Sequence, residues 1–219
     1  MGAIASFKRG LGRLLGRSKP VGPGQERASS YYDQMFVDQQ IFRVHYTKSI
    51  YYFLWSVIAD RIENSGIRGV LEIGCGPGQL GAMLMDRGLE RYHGMDFGPK
   101  AIEMARGNCP RGHFEVGDAR TTDLHSRIDH DLVICTEVLE HIEDDLGVLS
   151  AFKPGVRCMC TVPNFPHESH VRRFESRERV IERYGPFFDE IKVSVWTSAN
   201  WQDDRFYLID GRRSTYRSA

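Results

Sequence analysis

The chain has 219 residues, 41% hydrophobic and 26% charged, which is enough apolar material for one globular core and too little length for a second full domain. Its 29 Lys and Arg balance 29 Asp and Glu, so whole-chain charge gives no case for a strongly basic nucleic-acid binder. The balance is uneven: residues 1–27 hold six basic groups against one acidic, which leaves the rest net acidic and poorly suited to tracking a phosphate backbone.

Five cysteines (Cys75, Cys109, Cys135, Cys158, Cys160) lack CxxC spacing, and four lie in apolar or Gly-rich strand-like surroundings. That usage fits reduced thiols in a cytoplasmic compartment. No apolar run approaches the roughly 20 residues that span a bilayer, so a soluble chain is expected.

In chain order, residues 1–19 space Ile4, Phe7, Leu11, Leu14 and Leu15 at helical intervals among Lys8, Arg9, Arg13 and Arg17. They read either as a solvated basic tail or as a peripheral contact with an anionic membrane. A Pro/Gly-rich linker follows, so residues 1–27 form a tail and residues 28–219 the domain. Residues 29–65 predict two aromatic-rich helices joined near residues 43–47, placed as a lid. Beyond residue 68, strands are expected near 69–73, 91–95, 112–116, 130–135 and 156–162. Helices are expected near 79–87, 99–108, 138–151 and 175–184. Ile191–Trp196 and Arg205–Ile209 flank a segment too short for a crossover helix, so they predict an antiparallel hairpin. The fold class is therefore α/β: a Rossmann-like, doubly wound, mostly parallel seven-stranded sheet with an antiparallel C-terminal hairpin and extra N-terminal helices.

Chemistry enters at Val70-Leu-Glu72-Ile-Gly74-Cys-Gly76-Pro-Gly78, where an apolar strand ends in alternating glycines before a helix. Glycines there permit a sharp turn and leave room for a ligand against the main chain, with free helix N–H groups beyond. Gly76-Pro-Gly78-Gln-Leu-Gly81 also matches GxGxxG, so a dinucleotide is the competing ligand. Against it, Glu72 and Gly74 stand where that fingerprint needs apolar residues, and Glu72 sets negative charge near a pyrophosphate.

The run of an acidic residue followed by G-x-G-x-G resembles the first motif of the class I S-adenosylmethionine (SAM) dependent methyltransferases. The resemblance covers roughly residues 50–210 and implies SAM as cofactor, with Glu72, Gly74, Gly76 and Gly78 in its site. Asp96 lies twenty residues past Gly76 at the next strand end, the spacing of a carboxylate that accepts ribose hydroxyls, and Phe97 follows it. The alternative is that Asp96 only caps the helix at Pro99. Gly117-Asp118-Ala119 falls where the family contacts adenine, with Asp118 accepting from the amine and Ala119 offering its N–H. Asp131 to Asp144 resembles the fourth motif, which places Glu137 beside the methionine part of SAM and makes His141 a candidate base for a hydroxyl acceptor.

The loop Thr161 to Phe174 resembles the P-N then H-x-R-x-F pattern of small-molecule and sugar methyltransferases. It implies Asn164, His167 and Arg172 as acceptor ligands and His170 as a second candidate base, with Tyr31 and Tyr46 contributed by the aromatic helices. The function expected is O-methylation of a small hydroxylated metabolite or sugar, with no nucleic-acid partner and the oligomeric state left open. Glu137-x-x-Glu140-His141 with a later histidine is also similar to the metal site of the small-RNA 2′-O-methyltransferases. Here the downstream run differs, and no metal is expected. A non-catalytic SAM-binding subunit is the remaining alternative.

Overall fold

The computed structural model describes residues 24–197 and 203–215. The membrane-contact reading of residues 1–19, and most of the tail, lie outside the described residues.

Five short runs become parallel strands, the four inner ones buried on both faces because helices cover each side of the sheet. They are β1 (Gly69–Ile73), β2 (Arg91–Asp96), β3 (His113–Val116), β4 (Leu132–Cys135) and β5 (Arg157–Pro163). β6 (Phe188–Thr197) and β7 (Arg205–Arg213) complete the sheet as the expected hairpin, longer at both ends than the sequence suggests. The order is β3-β2-β1-β4-β5-β7-β6, with only β7 antiparallel to its neighbours. Pleating sends Leu71, Ile73, Val133 and Cys135 to one layer and Val70, Leu132 and Ile134 to the other.

The first layer is covered by α6 (Asp145–Ala151) and α7 (Arg177–Tyr184) through Val148, Leu149, Val180 and Tyr184. The second is covered by α2 (Tyr52–Ile62), α3 (Gln79–Asp86) and α4 (Pro99–Asn108) through Ile58, Met83, Leu84 and Ile102. α1 (Ser29–Asp38) leaves the sheet and packs Tyr32 and Phe36 against Ala101 and Phe97. α5 (Leu124–Arg127) is a single turn after β3. All five cysteines are buried and free.

One predicted helix fails. The segment 138–151 is a 3-10 turn over Leu139–His141, an extended residue at Ile142, and then α6. Glu137 enters with φ of 57°, a left-handed conformation that cannot begin a right-handed helix, so Glu137 and Glu140 do not share a helix face.

The strand order reverses between β1 and β4, which opens a crevice at their carboxyl ends beside the glycine turn. Gly78 closes that turn at φ of 75°, and a β-carbon there would stand 2.9 Å from Ala105 on α4. Gly78→Ala is therefore expected to cost about 1–3 kcal/mol, seen as a lower denaturation midpoint. An unchanged midpoint would contradict this packing role.

Candidate active site

The crevice is a cavity into which the turn after β1, the ends of β2 and β3, the turn after β4 and the loop after β5 all project. The turn is bolted to β2, because the N–H groups of Gly74 and Cys75 both donate to Met95 O, at 2.7 and 2.9 Å. Gly74 has φ of 74°, and a side chain there would overlap Val138 from the turn after β4. Bare main chain thus faces the cavity.

Asp96 Oδ2 accepts from Gly76 N–H at 3.0 Å, and Oδ1 accepts from Gly98 N–H at 2.8 Å. The carboxylate therefore holds the glycine turn as well as the start of α4. Each oxygen keeps a further lone pair for a ligand hydroxyl. Burial pushes its pKa up to about 6, although these backbone donors oppose the shift. Glu72 lies beneath the turn, where the Tyr92 hydroxyl donates to it and burial pushes its pKa up to about 8. Asp118 is gripped by Arg120 at 2.6 Å, and Arg120 also pairs with Glu26 at 2.9 Å.

Beyond β4, the Glu137 N–H donates to Thr161 Oγ1, whose hydroxyl donates back to Glu137 Oε1 at 2.8 Å. Burial raises Glu137 to about 8 and pushes Glu140 well above the usual carboxylate range, with Glu137 adding repulsion. A cation placed beside them would favour the ionised forms. Burial thus favours the protonated form of Glu137 near pH 7, so SAM binding at that pH is expected to release protons. Calorimetry in buffers of different ionisation enthalpy measures this, and proton uptake or no exchange would remove the sulfonium from Glu137.

His141 and His170 meet with ring centroids 4.8 Å apart. His141 Nδ1 lies 2.9 Å from Ser169 O, and His170 Nδ1 lies 3.1 Å from Phe165 O. A carbonyl only accepts, so each ring carries its proton on Nδ1 and a lone pair on Nε2. Burial lowers their pKa values to about 4 and about 3, which keeps both neutral. Glu140 is fully buried, its two oxygens have no hydrogen-bond partner, and Oε1 stands 3.9 Å from His141 Nε2. One ligand atom from each of Glu140, His141 and His170 falls within 4.8 Å of the others. The sequence offers Glu140, His141 and a later histidine, together with Glu137, only as the alternative metal reading, and no metal is expected from it.

The structure therefore brings Glu72, Gly74, Gly76, Asp96, Phe97, Asp118, Ala119, Glu137, His141, His167 and His170 to one cavity. Five predicted residues lie elsewhere. Gly78 packs on α4. The Asn164 amide bridges Asp203 O and Arg205 N–H. The Tyr31 and Tyr46 hydroxyls donate to Glu168 and Asp86. Arg172 donates to the carbonyls of Leu139, Ile142 and Glu143 and pairs with buried Asp145 at 3.3 Å. Arg172 is thus a clamp on the turn that carries Glu140 and His141, not an acceptor ligand.

The sequence missed Glu26, Arg27, Gln39 and Ser169 as lining residues, and Tyr51 and Trp55 pack on the core while also lining the cavity. The cause is a long-range pairing: Gly24 N–H donates to His170 O and Gln25 N–H to Glu168 O, which lays the N-terminal segment over the crevice. The only sequence signal for it is the density of aromatics before β1.

A crevice at the β1/β4 switch, floored by a glycine turn and ending in an acidic β2, defines a nucleoside-cofactor site on a Rossmann-like sheet. Residues 70–154 match the family described as methyltransferase domain. The chain is 32% identical over 107 residues to a ubiquinone biosynthesis O-methyltransferase of Pectobacterium atrosepticum, covering 45% of this chain and 44% of that one. It is 26% identical over 170 residues to a small RNA 2′-O-methyltransferase of Arabidopsis thaliana, covering 69% of this chain and 17% of that one. A Haemonchus contortus phosphoethanolamine N-methyltransferase solved with S-adenosylhomocysteine superposes with a TM-score of 0.62 at 14% identity, over 84% of this chain and 61% of that one. The chain spans under half the length of the curated relatives it matches. Residues 70–154 thus carry a methyltransferase domain, and these likenesses support a class I SAM-dependent methyltransferase with SAM as its cofactor.

Proposed function

We propose that this protein transfers the SAM methyl group to an oxygen of a small hydroxylated acceptor. The observation that carries this reading is the neutral His141, which lines the cavity shared by Asp96 and Glu137 and keeps a lone pair on Nε2 because Nδ1 is spent on Ser169 O. Asp96 and the glycine turn hold the ribose and methionine portions, and Asp118 and Ala119 meet the adenine. The acceptor lies on the side of Phe165, Tyr51 and Trp55, where apolar walls exclude water and favour a planar, phenol-like ring over a sugar. In-line displacement needs alignment first, and His141 then takes the hydroxyl proton as the oxygen attacks the sulfonium methyl. The likeness to O-methyltransferases named for ubiquinone biosynthesis supports this choice. A cytoplasmic location belongs to the same reading; among the described residues no helix is long and apolar enough to cross a membrane. The test is acceptor-dependent formation of S-adenosylhomocysteine with SAM and a panel of phenols and sugars. Cofactor turnover that ignores every acceptor would overturn it.

The unpartnered Glu140 carboxylate favours one second reading. Two imidazole Nε2 lone pairs and a buried carboxylate form a donor set that fits a divalent ion of the magnesium or manganese type. Glu140, His141 and His170 would hold the ion, which would supply Lewis-acid polarisation of the acceptor hydroxyl. His141 cannot then act as base. A chelator that abolishes turnover, with recovery on added manganese, selects this reading; full activity in chelator selects the first.

A further inference from the structure

On the acceptor side of the cavity stands a cation that has no carboxylate partner among the described residues. Arg27 lines the cavity, its Nε is buried without a hydrogen-bond partner, and its guanidinium sits 5.5 Å over the Tyr31 ring. Its one hydrogen bond among the described residues is a long one, 3.5 Å, from Nη2 to Glu168 O. The nearby carboxylates are committed elsewhere. Glu168 accepts from the Tyr31 hydroxyl at 2.7 Å, and Glu26 accepts from Arg120 and from the Glu143 N–H. No acidic side chain lies within ion-pair distance of Arg27 among the described residues.

Two more polar atoms on the same segment are left over. The Tyr32 hydroxyl is buried beside Ser169 without a bond of normal geometry, and Gln39 Oε1 is buried without a donor. Both residues line the cavity. Folded chains rarely leave such groups unpaired, and three of them on one strap facing one cavity call for a ligand that completes them. The strap is held in place by the backbone bonds of Gly24 and Gln25 to the 167–170 loop, so Arg27 is fixed beside His167 at the acceptor end.

We propose that residues 27–39 form the acceptor subsite, in which Arg27 binds an anionic group, a carboxylate or phosphate, carried by the hydroxylated acceptor. Tyr32 and Gln39 then meet its hydroxyls. This rests on the methyl-transfer reading for the identity of the cavity's second ligand. A planar guanidinium offers paired N–H donors that match both anions, which a neutral phenol cannot use. Arg27 is a specificity-determining residue, and it takes the place that the sequence gave to Arg172.

The test measures binding to the S-adenosylhomocysteine-loaded protein. Calorimetric titrations use catechol, 3,4-dihydroxybenzoate and 3,4-dihydroxyphenylphosphonate. The wild type is expected to bind at least one anionic analogue tenfold or more tightly than catechol, the scale of a charge-assisted hydrogen bond, and the stronger of the two identifies carboxylate or phosphate. In Arg27→Gln that preference should collapse to within about twofold, while Arg27→Lys keeps part of it. Affinity for S-adenosylhomocysteine checks that each variant folds. No preference in the wild type, no binding of either anion, or a preference that survives Arg27→Gln overturns the proposal. Binding with the expected preference but no methyl transfer would instead sink the proposed activity and leave the subsite standing.

Discussion

Replacing His141 with Gln is expected to slow methyl transfer by roughly 10²- to 10⁴-fold while leaving SAM binding intact. Gln can keep the bond to Ser169 O through its amide but has no titratable lone pair at the Nε2 position. Burial disfavours the imidazolium, so the free His141 already sits in its base form above about pH 4. The acid limb of the rate profile should then lie below pH 5 and not near 7. His170→Gln tests the second candidate base, whose imidazolium burial and the adjacent His141 likewise disfavour. Single-turnover rates with saturating SAM measure both. Full turnover in both variants would leave alignment alone as the source of catalysis.

Replacing Asp96 with Ala is expected to weaken SAM binding by tenfold or more. Each hydrogen bond from a ribose hydroxyl to a carboxylate is worth about 1.5–3 kcal/mol. The variant also frees the N–H groups of Gly76 and Gly98, so the glycine turn itself loosens. Asp96→Asn sets an amide against one of these donors and should show a comparable loss. The raised pKa gives a second signature. Asp96 is ionised only above about pH 6, so affinity in the wild type should rise with pH through that value and lose this dependence in Asp96→Ala. A dissociation constant unchanged by the substitution would remove Asp96 from the site.

The parts of this molecule that were legible in its sequence are those set by local pattern. β1, β4 and β5 are buried on both faces and read as unbroken apolar runs, and the glycines between β1 and α3 mark a turn that other side chains would block. The distance from Gly76 to Asp96 is one strand, helix and strand, so their meeting follows from the fold class. What depends on long-range contact was not legible. The helix expected after Glu137 breaks because Arg172, over thirty residues later, satisfies the carbonyls of Leu139, Ile142 and Glu143 in place of helical N–H groups. An arginine in a polar loop looks the same in sequence whether it meets a substrate or a backbone. Arg27 illustrates the converse, since it belongs to a segment that reads as tail and linker, and only its pairing to the 167–170 loop brings it to the cavity. Tyr31 lies on α1 as expected and Tyr46 in a 3-10 turn, Tyr46–Lys48, at the expected joint, but Glu168 and Asp86 draw their hydroxyls away.

The turn from Gly74 to Gly78, with Asp96 facing it, is expected to hold SAM and not a dinucleotide. Calorimetric titration of one protein preparation with SAM, S-adenosylhomocysteine and NAD tests it most directly. Saturable binding of SAM and S-adenosylhomocysteine is expected, with NAD weaker than either, because Glu72 and Gly74 stand where a dinucleotide turn needs apolar residues. Tighter binding of NAD than of SAM would contradict it.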